Sequence, residues 1–276
     1  MNKVFKIIWN KTTQSFVVTS ELAKGAVKAS SNSEQRVTSE TRLSSLFKLS
    51  AFALSLSAVM MPAQAQVHVG DVDPVNVAAT AIGIGDANTK ASGENSTAIG
   101  NSANVTSAGQ NSKAIGNNVT VSGANSSASG NNITVSGANA SASGNNVTVS
   151  EANSSAVGNN VKVSKANSSA AGNNVTVSGA NSSASGNNIT VSGANSSASG
   201  NNVTVLSANS SATGNNITLE NHAYNNLLAM GNNIKVVHAN SNAIGNNINV
   251  SHMNASAIGN NISVSNLKSA AIGNDI

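Results

Sequence analysis

One segment of fourteen residues governs what this chain can become. Ala124–Gly137 reads ANSSASGNNITVSG, and near copies start at Ala138, Ala152, Ala166, Ala180 and Ala194, with looser ones out to Ile276. A short, strict period means that one small unit is stacked on itself, each copy burying its apolar face against the next. The same period leaves little room for chemistry, because nearly every position is committed to the repeat.

The units align on the glycine of Gly-Asn-Asn, at Gly116, Gly130, Gly144 and onward to Gly273. An alanine stands two residues before each of these glycines. A Val or Ile follows the Asn pair, as Val119 and Ile133 do, and a second apolar residue comes two places later, as Val121 and Val135 do. Apolar residues at i and i+2, with Thr120 or Thr134 between them, have the period of a strand. Gly116-Asn117-Asn118 and Gly123-Ala124-Asn125 are turn chemistry, since Gly takes positive φ freely and Asn tolerates it. The expected unit is two short strands joined by two turns, the second strand over roughly Ser126–Ser129. Successive units pair in parallel, and about thirteen of them make a rod of roughly 60 Å. A helix is excluded: Asn-Asn-Val-Thr-Val-Ser is poor helix sequence and glycine recurs too often. The fold class is all-β, a parallel β-roll.

This scheme assigns faces. Val, Ile and the alanine (Ala128 and its equivalents) point inward, Thr and Ser outward. The residue after that alanine varies: Ile115, Val157, Met230, Ile244, Ile258 and Ile272 are apolar, whereas the middle coils carry mainly Ser, as at Ser129. A coil that buries two β-branched side chains and one alanine does not offset the backbone entropy of fourteen residues. Association between chains along this variable face is therefore expected.

Composition narrows the function further. Charged residues are 9% and aromatics 2% of the chain, too few for a thick core. Residues 1–65 hold eight of the 14 Lys and Arg, leaving six basic and seven acidic residues beyond them. The working region has no basic face, so no nucleic-acid partner is expected. There is no cysteine, hence no disulfide and no thiolate metal site. No phosphate-cradling loop, nucleophile–base pair or paired carboxylate stands out. We expect no catalysis, no cofactor and no metal; Asp71 and Asp73, and the histidines at 68, 222, 238 and 252, read as polar turn residues.

The first 65 residues read as a leader. Leu43–Met61 is apolar apart from Lys48 and serines, Arg36 and Arg42 precede it, and Ala63-Gln64-Ala65 follows. Basic region, apolar region and small-residue site form a secretory signal, cleaved between Ala65 and Gln66. The apolar core Leu49–Met61 falls short of the roughly twenty residues that a membrane-spanning helix needs. Residues 32–65 make the signal proper, and residues 1–31 are an extension of it. That extension, with Met1-Asn2-Lys3-Val4-Phe5-Lys6, Ile8-Trp9-Asn10, Phe16, Ser20-Glu21 and Ala23-Lys24-Gly25, resembles the extended signal peptide region of large autotransporters and related type V secreted proteins of Gram-negative bacteria. Residues 66–80 form a lead-in or cap, a short strand or a flexible start, and residues 81–276 hold the repeats.

The repeats carry a second resemblance. Asn95-Ser96-Thr97-Ala98-Ile99-Gly100, Asn111-Ser112-Lys113-Ala114-Ile115-Gly116 and Asn254-Ala255-Ser256-Ala257-Ile258-Gly259 are similar to the NSxAIG motif of YadA-like trimeric autotransporter adhesin heads. The resemblance implies a left-handed β-roll of fourteen-residue coils, three chains side by side. It also implies adhesion to host matrix proteins or cell-surface receptors, on the surface of the outer membrane. The middle coils depart from the motif, with Ser for Ile at Ser129, Ser143, Ser185 and Ser199. The family's coiled-coil stalk and four-stranded membrane anchor are not read here, since neither heptads nor alternating ten-residue strands occur. The sequence reads as a fragment or truncated frame, tied to the outer membrane only through an anchor outside it, and otherwise secreted or periplasmic.

Three further features bear on partners. Gly214 to Gly231 is three residues longer than the standard spacing, and this insertion, with His222, Tyr224, Leu227 and Leu228, is the candidate contact loop. Asn118-Val119-Thr120 and its copies match a glycosylation acceptor pattern, read at this level as an accident of strand composition. The Thr120 column resembles the ladder of a crystal-templating, ice-binding solenoid, but Lys162, Lys235, Asn249 and Ser263 interrupt it. The expected function is a multivalent adhesin head; a structural spacer is the alternative, and ice binding the weakest reading.

Overall fold

A computed structural model describes residues 5–10, 15–20, 67–70, 77–78, 80–220 and 226–276. The chain divides into two units, Met1–Met61 and Pro62–Ile276. In the first, β1 (Phe5–Asn10) pairs antiparallel with β2 (Ser15–Ser20), Phe5 opposite Ser20 and Asn10 opposite Ser15. Both segments are rich in β-branched and aromatic residues, which favour strands. The apolar run at 43–61 and the cleavage site at Ala65 and Gln66 lie outside the described residues.

The second unit is one parallel sheet of sixteen strands wound into a solenoid, with no helix among the described residues. β3 (Val67–Gly70), β4 (Ile82–Gly85), β5 (Lys90–Ala91) and β6 (Thr97–Val105) come first. From β7 (Lys113–Val121) and β8 (Ser127–Val135) to β18 (Ala270–Asn274), each coil contributes one strand paired to the coils before and after it, except that β18 pairs only with the coil before it. Register follows the repeat: Ala128 faces Ala142, Gly130 faces Gly144, and Ile133 faces Val147. Of the expected lead-in over residues 66–80, Val67–Gly70 is strand, paired with β4.

The expected pair of short strands is in fact one continuous nine-residue strand per coil, bent at Gly-Asn-Asn. Ser127-Ala128-Ser129 forms one arm and Ile133-Thr134-Val135 the other. At the bend Gly130 has φ 137° and Asn132 has φ 55°. Gly130 and Asn131 keep their ladder partners, and only Asn132 drops out of register. The corner changes direction without releasing its neighbours, so the strand does not end there. The other corner, after Val135, is a true turn.

Glycine serves the two corners differently. Gly130 needs its positive φ. Gly123 has no such φ, but a Cβ there would lie 1.9 Å from the carbonyl oxygen of Gly137. Close stacking of coils, rather than backbone freedom, selects glycine at that position.

The core is the inward stripe that the repeat implies. Ala128, Ile133 and Val135 are buried, as are their equivalents along the stack. One inward column was assigned outward from sequence and belongs inside. Ser112, Ser126, Ser154, Ser168, Ser182, Ser196, Ser210 and Ser241 are all buried. Ser126 Oγ lies 2.8 Å from the carbonyl oxygen of Gly137 and 3.1 Å from that of Ala124, donating to them, and accepts the N–H of Ala140 at 3.0 Å. A buried hydroxyl without partners would be costly; here each one links a turn to the next coil.

Candidate interaction surface

The variable column is the place where the fold leaves apolar surface uncovered. The ladder aligns Val69 with Ile84, Ile84 with Ile99, and Ile99 with Ile115, which extends the column three coils further toward the N-terminus than the repeat alignment reached. Irregular spacing before Gly116 hid this. Ile115, Val157, Met230, Ile244, Ile258 and Ile272 all lie on the outside, from 37% exposed at Ile244 to 75% at Ile272. Val69 is exposed with them. Exposed single apolar residues need no explanation, but an aligned row does.

Between the two apolar ends the column turns small and polar. Ser185 and Ser199 line a trough of about 310 Å³ that runs between Val157 and Thr213. Its walls are low because the side chains are Ser and Ala, and the inward alanines Ala170, Ala184 and Ala198 form its floor.

A second groove, of about 570 Å³, lies on the arm that bears the threonine column, where Lys235, Asn249 and Ser263 replace threonine. Asn233, Asn247 and Asn261 form its edge. Lys235 Nζ sits 2.7 Å from Glu220 Oε1, an open pair worth little to stability.

Asparagine ladders run along both corners. Asn118 Nδ2 donates to Asn132 Oδ1 at 2.9 Å, and the chain of donations continues through Asn146, Asn160, Asn174, Asn188, Asn202 and Asn216 to Asn233. Asn167, Asn181, Asn195 and Asn209 do the same on the other corner. All these residues have positive φ.

The lead coil uses a carboxylate in place of the ladder. Asp86 Oδ1 accepts the N–H of Ser102 and the hydroxyl of Thr89, each at 2.8 Å. The Ser102 N–H, followed by the Thr89 hydroxyl, holds the Asp86 carboxyl below its ordinary range.

The structure describes only part of the candidate contact loop. His222 and Tyr224 lie outside the described residues. Leu227 is 2% exposed and occupies the buried serine column: its N–H donates to Ser210 Oγ at 3.0 Å. Its side chain is core and is not available to a partner. Leu228 opens β15 (Leu228–Val236) opposite Ser211 and is half-buried. Counting backward from Gly231 would have found this, because the coil regains its register before that glycine. His238 and His252 stack with ring centroids 5.8 Å apart and an interplanar angle of 25°. Among the described residues no group of three or more His, Cys, Asp or Glu could hold a metal.

The leader is the part of the chain that resembles a known family. Residues 1–50 match the family model described as the extended signal peptide of the type V secretion system. The match covers the extension and reaches into the apolar run. It supports export through the inner membrane. A search of curated proteins found no match. An extended signal peptide followed by a β-solenoid fits an autotransporter adhesin.

Proposed function

We propose that this chain is the head of a YadA-like trimeric autotransporter adhesin, which binds host extracellular matrix or host cell surfaces through many repeated weak contacts. The observation that carries this reading is the joint presence of a type V signal peptide and a solenoid whose exposed large apolar side chains fall mainly in one column. Three chains meeting along that column would cover Ile115, Val157, Met230 and the C-terminal isoleucines. The asparagine and threonine faces would remain outside, repeated once per coil. Repetition supplies avidity without any single strong site, which suits coils that have no Phe, Tyr or Trp among the described residues of the solenoid. No catalytic role is assigned.

The test is binding of residues 66–276 to immobilised matrix proteins and to cultured cells, with trimer formation followed by sedimentation. Saturable binding that is lost on shortening the coil stack supports the adhesin. A chain that binds none of these surfaces, yet holds a further domain away from the cell, supports the spacer reading, which the uniformity of coils β8 to β13 (Ser197–Val205) favours.

A further inference from the structure

Both corners of the coil place an asparagine outward, then one residue inward, then a third residue outward again. At one corner the sequence is Asn132-Ile133-Thr134, with Ile133 buried; at the other it is Asn125-Ser126-Ser127, with Ser126 buried. The corner asparagines are exposed and their Nδ2 groups carry two hydrogens, of which the ladder uses one. Of the eleven positive-φ asparagines in the Asn118 column, eight are followed two residues later by Ser or Thr. In the Asn125 column nine of twelve are.

Strand composition alone accounts for only half of this. Threonine after Ile133 is a strand former. Serine at the Ser127 position is not, yet the hydroxyl recurs there too. The fold makes almost no use of these hydroxyls. Among the described residues the hydroxyls of the threonine column make no hydrogen bond, and those of the Ser127 column make one, between Ser197 and Ser211. What the two columns share is the acceptor pattern Asn-x-Ser/Thr.

We propose that the corner asparagines of these units are acceptors for N-linked sugars. In the step, Asn Nδ2 attacks the anomeric carbon of a sugar activated as an anomeric diphosphate. The C–N bond forms, the anomeric C–O bond breaks, and the diphosphate leaves with the electron pair while the amide proton passes to base. One N–H remains on Nδ2, so the ladder can still form. The inference needs only the export reading and not adhesion, so loss of one leaves the other standing.

The chain carries its own controls. Asn160, Asn233 and Asn247 hold the same corner with Lys162, Lys235 and Asn249 two residues on. The chain recovered from the cells that express it is digested with a protease of broad specificity and its peptides are weighed. Sugar-sized increments on Asn118, Asn132 and Asn174 peptides, with none on the three controls, are expected. The increment separates the two donors: one sugar indicates a nucleotide-linked donor, and a preassembled oligosaccharide a lipid-linked one. Thr134→Val should clear Asn132 alone and leave the circular dichroism spectrum unchanged. Unmodified corner peptides throughout, or equal modification of the controls, overturns the proposal.

Discussion

Asn118 donates its side-chain amide to Asn132 across one coil, 2.9 Å away, and both residues sit at φ 55°. The two facts belong together. A left-handed backbone costs most residues about 1–2 kcal/mol, but Asn and Gly bear it more readily. Glycine would meet the backbone demand and break the ladder. Asparagine meets both.

Asn146 therefore tests the ladder against the backbone. Asn146→Ala loses both contributions and should destabilise the neighbouring coils by about 2 kcal/mol. Asn146→Gly keeps the backbone and should cost about 1 kcal/mol. Hydrogen exchange in β9 (Ser141–Val149) and β10 (Ser155–Val163) reads the effect locally, which suits a stack that need not unfold as one unit. Equal costs for Ala and Gly would remove the backbone part of this account.

Gly130→Ala is expected to be far worse. A Cβ there would stand 1.9 Å from the carbonyl oxygen of Gly144, at a φ of 137° that side chains rarely adopt. Neither the backbone nor its partner can yield without opening the ladder. We expect a loss above about 3 kcal/mol and proteolytic nicking confined to the coils around β8. A substitution that leaves protease resistance intact would contradict the geometry.

Much of this fold was legible because a strict period leaves few solutions. Ile133 and Val135 alternate around Thr134, and that alternation alone placed the inward stripe. The buried serines were not legible. Ser126 is flanked by Asn125 and Ser127, so nothing in polarity separates the inward residue from its outward neighbours; only its hydrogen bonds do. The continuous strand was missed for a related reason: Gly130-Asn131-Asn132 has turn chemistry, and sequence cannot show that Gly130 and Asn131 keep their ladder partners. Leu227 was misplaced because the insertion breaks the count from Gly214, and the core regains its register only from the other side. Of the surface, the apolar ends of the variable column were visible from sequence, whereas the trough between them follows from packing.

Ser168 measures what the hidden serine column contributes. Its hydroxyl reaches the carbonyl oxygens of Gly179 at 2.9 Å and Ala166 at 3.0 Å, and accepts the N–H of Ser182 at 3.3 Å. Ser168→Ala leaves a buried N–H and a buried carbonyl short of a partner, at a cost of about 1–3 kcal/mol. Ala140 already stands in this column, so the variant should fold. The expected reading is faster amide exchange at Ser182. Unchanged exchange there would mean that the column is only packing.

Asp86 gives the lead coil a pH dependence of definite sign. Its carboxyl is held below the ordinary value of 3.8 in the folded chain. A group with a depressed folded pKa adds stability that is complete above its unfolded pKa and is lost as the pH falls through the folded one. The lead coil should therefore loosen only in acid, below about 3.8. The Ser102 amide resonance, whose N–H points at Asp86 Oδ1, should shift over that range in the wild-type chain and stay flat in Asp86→Asn. A wild-type resonance that does not move in acid would detach Asp86 from this role.

The apolar ends of the variable column decide how chains associate. Ile244 and Ile258 are 37% and 44% exposed, and each faces the other along the stack. If chains meet along this column, a charge there is desolvated without a partner. Ile244→Asp should then shift the sedimentation of residues 66–276 toward the monomer, with circular dichroism unchanged because neither side chain belongs to the core. Ser185→Asp lies in the small-residue trough, where a looser contact tolerates a solvated charge, so its effect should be smaller. The contrast between the two sites is the informative result. Equal dissociation by both would mean uniform contact along the column, and no dissociation by Ile244→Asp would place the interface on another face.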